Sequence, residues 1–179
     1  MLRETVAIPD GLKASLAGAK LTVEGPKGKV SREFRSPGAS IIVKGKDIHI
    51  ATQGVRRADR ALVGTWAGHL RNMFDGAAHG LEYKLKIVYT HFPIKAQVKG
   101  PKFVIENFLG EKDARTVDLL PGVKADVKGD TVSLIGPDVE ALGTCAGRIE
   151  QATKIRDRDP RVFQDGIYII AKGTRASPR

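Results

Sequence analysis

Four cationic side chains fall within eight residues in the last third of this 179-residue chain: Lys154, Arg156, Arg158 and Arg161. An arginine guanidinium presents a planar fork of N–H donors that matches the oxygens of a phosphate and can also stack on a planar ring. The chemistry that this spacing favours is therefore the binding of phosphate groups. Lys172 and Arg175 extend the same cationic segment.

A second cationic segment runs from Lys84 to Lys102, where five lysines occur without an acidic residue. Three of these lysines are predicted to join the phosphate-binding surface: Lys95, Lys99 and Lys102. Between the two cationic segments, residues 103–153 hold nine acidic and five basic residues. The second half of the chain therefore has two positive segments on either side of a negative one.

The whole chain carries 30 lysine and arginine residues against 20 acidic residues, for a net charge of +10. Such an excess predicts an anionic partner, and nucleic acid is the most common one. No stretch approaches the roughly 18 apolar residues of a membrane span, and residues 1–4 lack the apolar run of a secretory signal. A single cysteine cannot form an internal disulfide, so we expect an intracellular protein without a membrane partner.

These cationic segments belong to a sequence that repeats itself. The string GTWAG at residues 64–68 recurs as GTCAG at residues 143–147, and VKGKDIHI at residues 43–50 recurs as VKGDTVSL at residues 127–134. The period of about eighty residues exceeds the roughly 20–50 residues of solenoid repeats. The repeat therefore predicts two tandem copies of one small domain.

Each copy contains a segment of alternating apolar residues. Apolar side chains alternate from Val123 to Val127 and again from Val132 to Leu134, with a turn at Gly129 between them. This pattern is typical of a half-buried β-hairpin. The first copy repeats it around Gly45, and glycine tolerates the positive φ that such turns require.

A helical pattern follows each hairpin, because apolar residues recur there at steps of three and four. In the first copy the stripe is Val55, Ala58, Leu62, Trp66, Leu70 and Met73, and in the second it is Val139, Leu142, Ala146 and Ile149. Each stripe predicts an amphipathic helix that covers one face of a sheet. Glycine inside a helix costs about 1 kcal/mol relative to alanine. The glycines of GTWAG and GTCAG therefore predict a close contact between helix and sheet.

The fold class predicted from these elements is α+β, with two tandem copies of a small domain. Each copy is expected to be an antiparallel or mixed β-sheet packed by one amphipathic α-helix. The predicted boundaries are residues 1–82 for the first repeat and residues 83–171 for the second. Residues 172–179 are predicted to form a basic tail, flexible by itself, since glycine, serine and proline interrupt it.

Other side chains that could carry chemistry favour structural roles. Cys145 falls opposite Trp66 in the repeat, which is typical of a buried packing position. The four histidines show no metal-binding spacing, and His91 beside Phe92-Pro93 is expected to pack or cap. Gly25–Lys29 lacks the spacing of a phosphate-binding loop, and a hairpin turn is favoured there. Asp157, Asp159 and Asp165 are interleaved with arginines, which favours ion pairing over catalysis. We predict no catalytic residue, metal or cofactor.

The segment from Gln151 to Lys172 has the pattern Q-x3-I-x2-R-x2-R-x-F-x-D-G-I-Y-I-x2-K. This pattern resembles the C-terminal motif of the L6 family of large-subunit ribosomal proteins, in its archaeal and eukaryotic branch. Tyr89–Ile94, Asn107–Lys112 and Asn72-Met73 resemble the same branch. The resemblance covers essentially the whole chain, and the family is known for two tandem copies of one α+β domain.

The resemblance implies a structural role in the large ribosomal subunit, in the cytoplasm. Family members bind large-subunit rRNA, mainly through the second domain, near the sarcin–ricin loop and the base of the stalk where translation GTPases dock. The partners implied are rRNA and neighbouring ribosomal proteins, with translation GTPases nearby. Phe163 and Tyr168 are expected to pack or to stack, and Asp165-Gly166 to shape a turn.

Two other classes of protein fit the same basic composition. An RNA-processing enzyme would need a cluster of metal-binding carboxylates or an activated nucleophile, and turnover of RNA with magnesium would reveal it. A protein-interaction adaptor would bind RNA weakly and without sequence preference, and would have a tight protein partner.

Overall fold

In the computed structural model the chain divides into two units, Met1–Gly80 and Leu81–Arg179. The structure describes residues 2–54, 56–90, 92–156, 158, 159 and 161–176. The expectations for Val55, His91, Asp157 and residues 177–179 lie outside the described residues.

The first unit distributes six strands over two three-stranded antiparallel sheets, with strand orders β1-β6-β5 and β2-β3-β4. Its elements are β1 (Leu2–Ala7), β2 (Lys13–Ala17), β3 (Lys20–Gly25), β4 (Gly28–Glu33), β5 (Ala39–Lys44), β6 (Asp47–Thr52) and α1 (Arg57–His79). Helix α1 contacts β1, β3, β4 and β6, so it closes the core against both sheets.

The core of the first unit includes Trp66 of α1, whose ring meets Phe34 edge to face at 5.5 Å between centroids. Trp66, Leu70 and Met73 are buried as predicted, whereas Ala58 at the start of the helix is exposed. The buried face instead includes Val63. The first turn of α1 therefore extends beyond the sheets that the rest of the helix covers.

The second unit repeats this plan and adds one strand. Its elements are β7 (Leu81–Val88), β8 (Lys95–Lys99), β9 (Lys102–Glu106), a 3-10 turn (Phe108–Gly110), β10 (Arg115–Asp118), β11 (Lys124–Lys128), β12 (Thr131–Gly136), α2 (Val139–Ala152) and β13 (Gly166–Arg175). The sheets have strand orders β10-β9-β8 and β11-β12-β7-β13, and every pairing in them is antiparallel. Helix α2 packs on these sheets through its buried face, which consists of Leu142, Cys145, Ala146 and Ile149.

The two predicted hairpins are confirmed as β5–β6 and β11–β12. Gly45 and Gly129 occupy their turns with φ of 59° and 56°, a region that side chains other than glycine rarely adopt. The string Gly25–Lys29 is also a hairpin turn, with Gly25 paired to Gly28 across β3 and β4. The α+β fold in two tandem copies is therefore confirmed. The division of each copy into two sheets is a detail that alternation alone does not reveal.

The predicted reason for the helix glycines is wrong at three of four positions. A Cβ atom added at Gly64, Gly68 or Gly147 would have no heavy atom of the described residues within 4 Å, apart from its two chain neighbours and the helix backbone within four residues. Only Gly143 faces a close neighbour, because its Cβ would lie 3.2 Å from the hydroxyl oxygen of Tyr83 on β7. Three of these glycines therefore leave open space beside the helix.

The expectation of a flexible tail from Lys172 is also corrected for the described residues. Strand β13 continues to Arg175, with Thr174 paired to Glu82 and Arg175 to Leu81 at the far end of β7. The Thr174 hydroxyl donates to the Glu82 carbonyl at 3.2 Å. Backbone pairing with β7 orders this segment in spite of its polar composition. The side chains therefore did not predict that the strand continues here.

Candidate nucleic-acid interface

The cationic segment predicted from sequence forms the loop between α2 and β13, and both ends of this loop are fixed. At its start, the buried Thr153 accepts a hydrogen bond from the Ile167 backbone N–H at 3.0 Å, which joins the helix end to β13. At its end, the buried Asp165 accepts from the Thr90 N–H at 3.1 Å. Within it, Asp159 accepts from the Arg161 N–H at 2.9 Å, which is typical of a turn. Hydrogen bonds therefore fix both ends of the loop, while its cationic side chains are exposed.

Three of the predicted cations, Lys154, Arg156 and Arg158, line one cavity of about 480 Å³. The opposite wall comes from Phe108 and Glu111, which follow β9, and from Arg115, the first residue of β10. We call this site the basic cavity. Lys154, Arg156 and Arg158 are exposed at its rim, where their charges can reach an external anion.

Arg115 holds the wall of the basic cavity in place. Its Nε donates to Glu111 Oε2 at 2.8 Å, and its Nη1 donates to the Ala152 carbonyl oxygen at 2.6 Å. Its guanidinium lies 4.3 Å from the centre of the buried Phe108 ring. Because Ala152 ends α2, Arg115 satisfies a helix-terminal carbonyl that has no partner within the helix. This side chain therefore joins the β9–β10 segment to the start of the cationic loop.

Glu111 brings one negative charge to the basic cavity. The hydrogen bond from Arg115 lowers the pKa of Glu111 below its ordinary value and outweighs the opposing effect of burial, and the charges of Arg115 and Arg158 add smaller contributions that also lower it. Glu111 is therefore ionised at neutral pH, and it neutralises Arg115 more than it neutralises the cations on the loop.

Arg158 is positioned by an aromatic ring. Its guanidinium lies 4.8 Å from the centre of the Phe163 ring, within the range of a cation–π contact. Arg161 is exposed on the turn that Asp159 stabilises. Among the described residues, no carboxylate lies at ion-pair distance from Lys154, Arg156 or Arg161.

The other predicted cations are not among the residues that line the basic cavity. Lys99 and Lys102 are paired at the turn of the β8–β9 hairpin, and Lys95 is opposite Glu106 at its other end. Four residues of strand separate the two ends by about 13 Å. Lys99 contacts Glu106 at 3.3 Å and Lys102 contacts Asp118 at 3.9 Å. These lysines form a second group of exposed charges.

Lys172 and Arg175 form a third group. They are exposed on the last residues of β13, at the end of the strand away from Gly166, where the cationic loop joins it. The nine predicted residues therefore form three groups, and Lys154, Arg156 and Arg158 of the loop group line the basic cavity.

Sequence reasoning missed Arg115 and Phe108 as parts of this site. Phe108 and Glu111 lie within the Asn107–Lys112 motif, so that motif was the available signal. Arg115 had none, because its partner Ala152 lies 37 residues away along the chain.

Within the part of the chain that the structure describes, the side chains do not favour a reactive cysteine, a metal site or a membrane-spanning helix. Cys145 is buried as predicted, and its sulfur accepts a hydrogen bond from the Leu120 N–H at 3.2 Å. Among the described residues there is no cluster of three side chains that could hold a metal ion. None of the described helices is long and apolar enough to cross a membrane.

Fold and site together define a class: a tandem α+β protein whose second unit presents a cation-lined cavity suited to phosphate groups. The family described as ribosomal protein L6 matches residues 8–80 and residues 92–166, one match in each unit. The chain is 48% identical over 168 residues to the large ribosomal subunit protein uL6 of Methanocella arvoryzae, covering 93% of this chain and 95% of that protein. It is 46% identical over 171 residues to the protein of the same name from Aeropyrum pernix, covering 94% and 93%.

The chain therefore belongs to the ribosomal protein L6 family. This finding confirms the resemblance read from the Gln151–Lys172 motif. Family membership also confirms that the protein is structural and not an enzyme.

Proposed function

We propose that this chain is a structural component of the large ribosomal subunit in the cytoplasm, and that its second unit binds large-subunit rRNA. The observation that carries the proposal is the gathering of Lys154, Arg156 and Arg158 around one cavity in a loop fixed at both ends. Because the loop is fixed at both ends, it loses little conformational entropy on binding. Its cations are therefore preorganised to bind phosphates that the folded RNA brings together.

Arg156, Arg158 and Arg161 are the first phosphate contacts in this proposal, followed by Lys154, Lys172 and Arg175. The hairpin lysines Lys95, Lys99 and Lys102 come next. Exposed ion pairs such as Lys99–Glu106 contribute only about 0–1 kcal/mol, so a phosphate can replace the carboxylate at small cost. Phosphate contacts position the protein, and contacts with base edges and RNA shape supply specificity.

The position of the protein in the ribosome is part of the proposal. Family resemblance supports a place near the sarcin–ricin loop and the stalk base, with other large-subunit proteins as neighbours and translation GTPases docking nearby. A rRNA fragment that carries the sarcin–ricin hairpin should therefore bind more tightly than a fragment from elsewhere in the large subunit. Equal affinity for both fragments would contradict this placement.

The test of rRNA binding is a charge reversal, Arg158→Glu with Arg161→Glu, compared with Lys124→Glu with Lys128→Glu. The control pair is exposed on β11 in the same unit and lies outside the three groups. Binding to the preferred fragment is measured across a salt titration, with circular dichroism to check the fold. Each lost phosphate contact should reduce the log–log salt slope by roughly 0.7–0.9. We expect the loop variant alone to lose affinity strongly, and unchanged binding would place the interface elsewhere.

Truncation is a poorer test than substitution. A chain ending at Gln151 lacks β13, which pairs along the length of β7 in the centre of its sheet. Its loss of binding would report a damaged fold as readily as a missing contact.

A further inference from the structure

A second cavity, of about 310 Å³, adjoins the basic cavity and shares Gln151, Lys154 and Ile155 with it. Its remaining walls are aromatic and polar: Phe163, Tyr168, Gln164, Thr153 and Glu150. We call this site the aromatic cavity. The function proposed above uses the cations beside it but does not use its rings.

The walls of the aromatic cavity are fixed by hydrogen bonds between α2 and β13. Thr153 accepts from the Ile167 N–H at 3.0 Å, and Glu150 accepts from the Ile169 N–H at 3.3 Å. These bonds hold the helix end against the strand on both sides of Tyr168. The cavity is therefore part of the folded unit and needs no rearrangement to form.

The Tyr168 ring is held in one orientation with much of its surface open. Its hydroxyl donates to the Gln164 carbonyl oxygen at 3.1 Å. The ring also lies against Gly166, since a Cβ atom there would be 3.0 Å from it. The residue is nevertheless 43% exposed. A fixed, exposed aromatic ring is a stacking surface for another planar group.

Phe163 and Gln164 complete the set of groups that a planar ligand would meet. The Phe163 ring carries the Arg158 guanidinium at 4.8 Å, which links this cavity to the cations of the basic cavity. Gln164 is exposed at the rim, and its side-chain nitrogen donates to the Arg161 carbonyl oxygen at 3.5 Å, so the amide offers a ligand its oxygen and its second N–H. Lys154 lies on the wall that both cavities share.

We propose that the aromatic cavity takes one unpaired nucleobase of the RNA whose phosphates bind the loop cations, an inference that rests on the function proposed above. Unpaired bases are recognised by stacking on aromatic side chains and by hydrogen bonds to their edges. The volume lies at the lower end of the roughly 300–1,000 Å³ of small-molecule sites, which suits a single base. Tyr168 supplies the stacking surface, Gln164 reads the base edge, and Lys154 contacts the adjoining phosphate.

The first experiment uses single nucleotides as probes on the whole protein. Titration with the four 5′-nucleoside monophosphates, followed by NMR, should shift the Gln164 side-chain amide and the Tyr168 ring signals. Ribose 5-phosphate carries the same phosphate without a base and is the matched probe. It should shift the Lys154–Arg158 signals and leave the Tyr168 ring unchanged. Equal shifts of the Tyr168 ring by both probes would overturn the proposal.

The second experiment removes the ring and measures binding to the rRNA fragment. Tyr168→Ala should lower affinity on the order of tenfold, the size of one lost base stack. Tyr168→Phe keeps the ring and should bind as the parent does. Tyr89→Ala is the matched control, because Tyr89 is a tyrosine of the same unit, 44% exposed, and lines neither cavity.

The salt dependence separates this proposal from the one on which it rests. Loss of a stacked base should lower affinity without changing the salt slope, whereas loss of a phosphate contact changes the slope. If Tyr168→Ala binds as the parent does while Arg158→Glu with Arg161→Glu does not, the base site is wrong and the rRNA interface stands. If the charge reversal also has no effect, the proposed function fails as well.

Discussion

Single side chains set the geometry of the candidate interface. Arg115 donates hydrogen bonds to Glu111 and to the end of α2, and it lies over Phe108. A lysine could not do the same, because one ammonium lacks the planar fork that reaches both partners. Arg115 therefore fixes the position of the loop, whereas Arg158 is proposed to contact the RNA directly.

The Glu111–Arg115 pair predicts a pH dependence of stability. Because the folded-state pKa of Glu111 is lowered, its contribution is fully present above the ordinary value of 4.5 and is lost as pH falls through the lower folded value. Glu111→Gln should destabilise the protein at pH 7 by at most about 1 kcal/mol, since the pair is partly exposed. Urea unfolding at several pH values checks this.

The difference between the parent and Glu111→Gln should shrink below pH 4.5. Asp113→Asn replaces an exposed acid of the same segment and is the control, expected to change stability little at any pH. A difference between parent and Glu111→Gln that stays constant with pH would contradict the assigned cause.

At the scale of elements, the same repeated sequence motif lies in different surroundings in the two helices. Gly64 in α1 and Gly143 in α2 are equivalent positions of the repeat. Open space lies beside Gly64, whereas Tyr83 lies beside Gly143. The same substitution should therefore have different effects in the two copies.

Gly64→Ala should stabilise the first unit by about 1 kcal/mol, because alanine is the better helix former and its methyl group would clash with none of the described residues. Gly143→Ala should gain less in the second unit, since its methyl group would lie 3.2 Å from the Tyr83 hydroxyl oxygen. Native-state hydrogen exchange of the β6 and β12 amides measures each unit separately. Equal gains in both units would contradict the environments described here.

The sequence predicted those elements whose signal is local. The hairpins were found because apolar residues alternate on both sides of Gly45 and Gly129, and the α2 stripe because Leu142, Ala146 and Ile149 follow helical spacing. The second part of β13 was missed because backbone pairing with β7, more than alternation, keeps it extended. Arg115 was missed because its role depends on contacts between segments distant in sequence.

At the scale of the molecule, positive charge is carried by both units. Residues 1–80 hold 13 basic and seven acidic residues, and residues 81–179 hold 17 and 13. Net charge alone would therefore assign RNA binding to the first unit. The arrangement favours the second, because its cations line a cavity in a fixed loop.

This contrast makes a prediction about the isolated second unit. A protein of residues 81–179 should fold, since its core is built from its own residues, and it should bind the preferred rRNA fragment with most of the salt slope of the whole chain. Residues 1–80 provide the control and should bind weakly and without preference for a fragment. A larger slope for residues 1–80 would assign the main phosphate contacts to the first unit.

The central position of β7 also has a consequence for folding of the chain during its synthesis. Both of its partners, β12 and β13, are synthesised after it, and β13 is the last strand described. At about 5–20 residues per second, roughly four to sixteen seconds pass between the end of β7 and the start of β13. During that interval one edge of β7 lacks its partner, and an unpaired edge invites pairing with another chain. The new chain is therefore open to aggregation through β7 until β13 has been made.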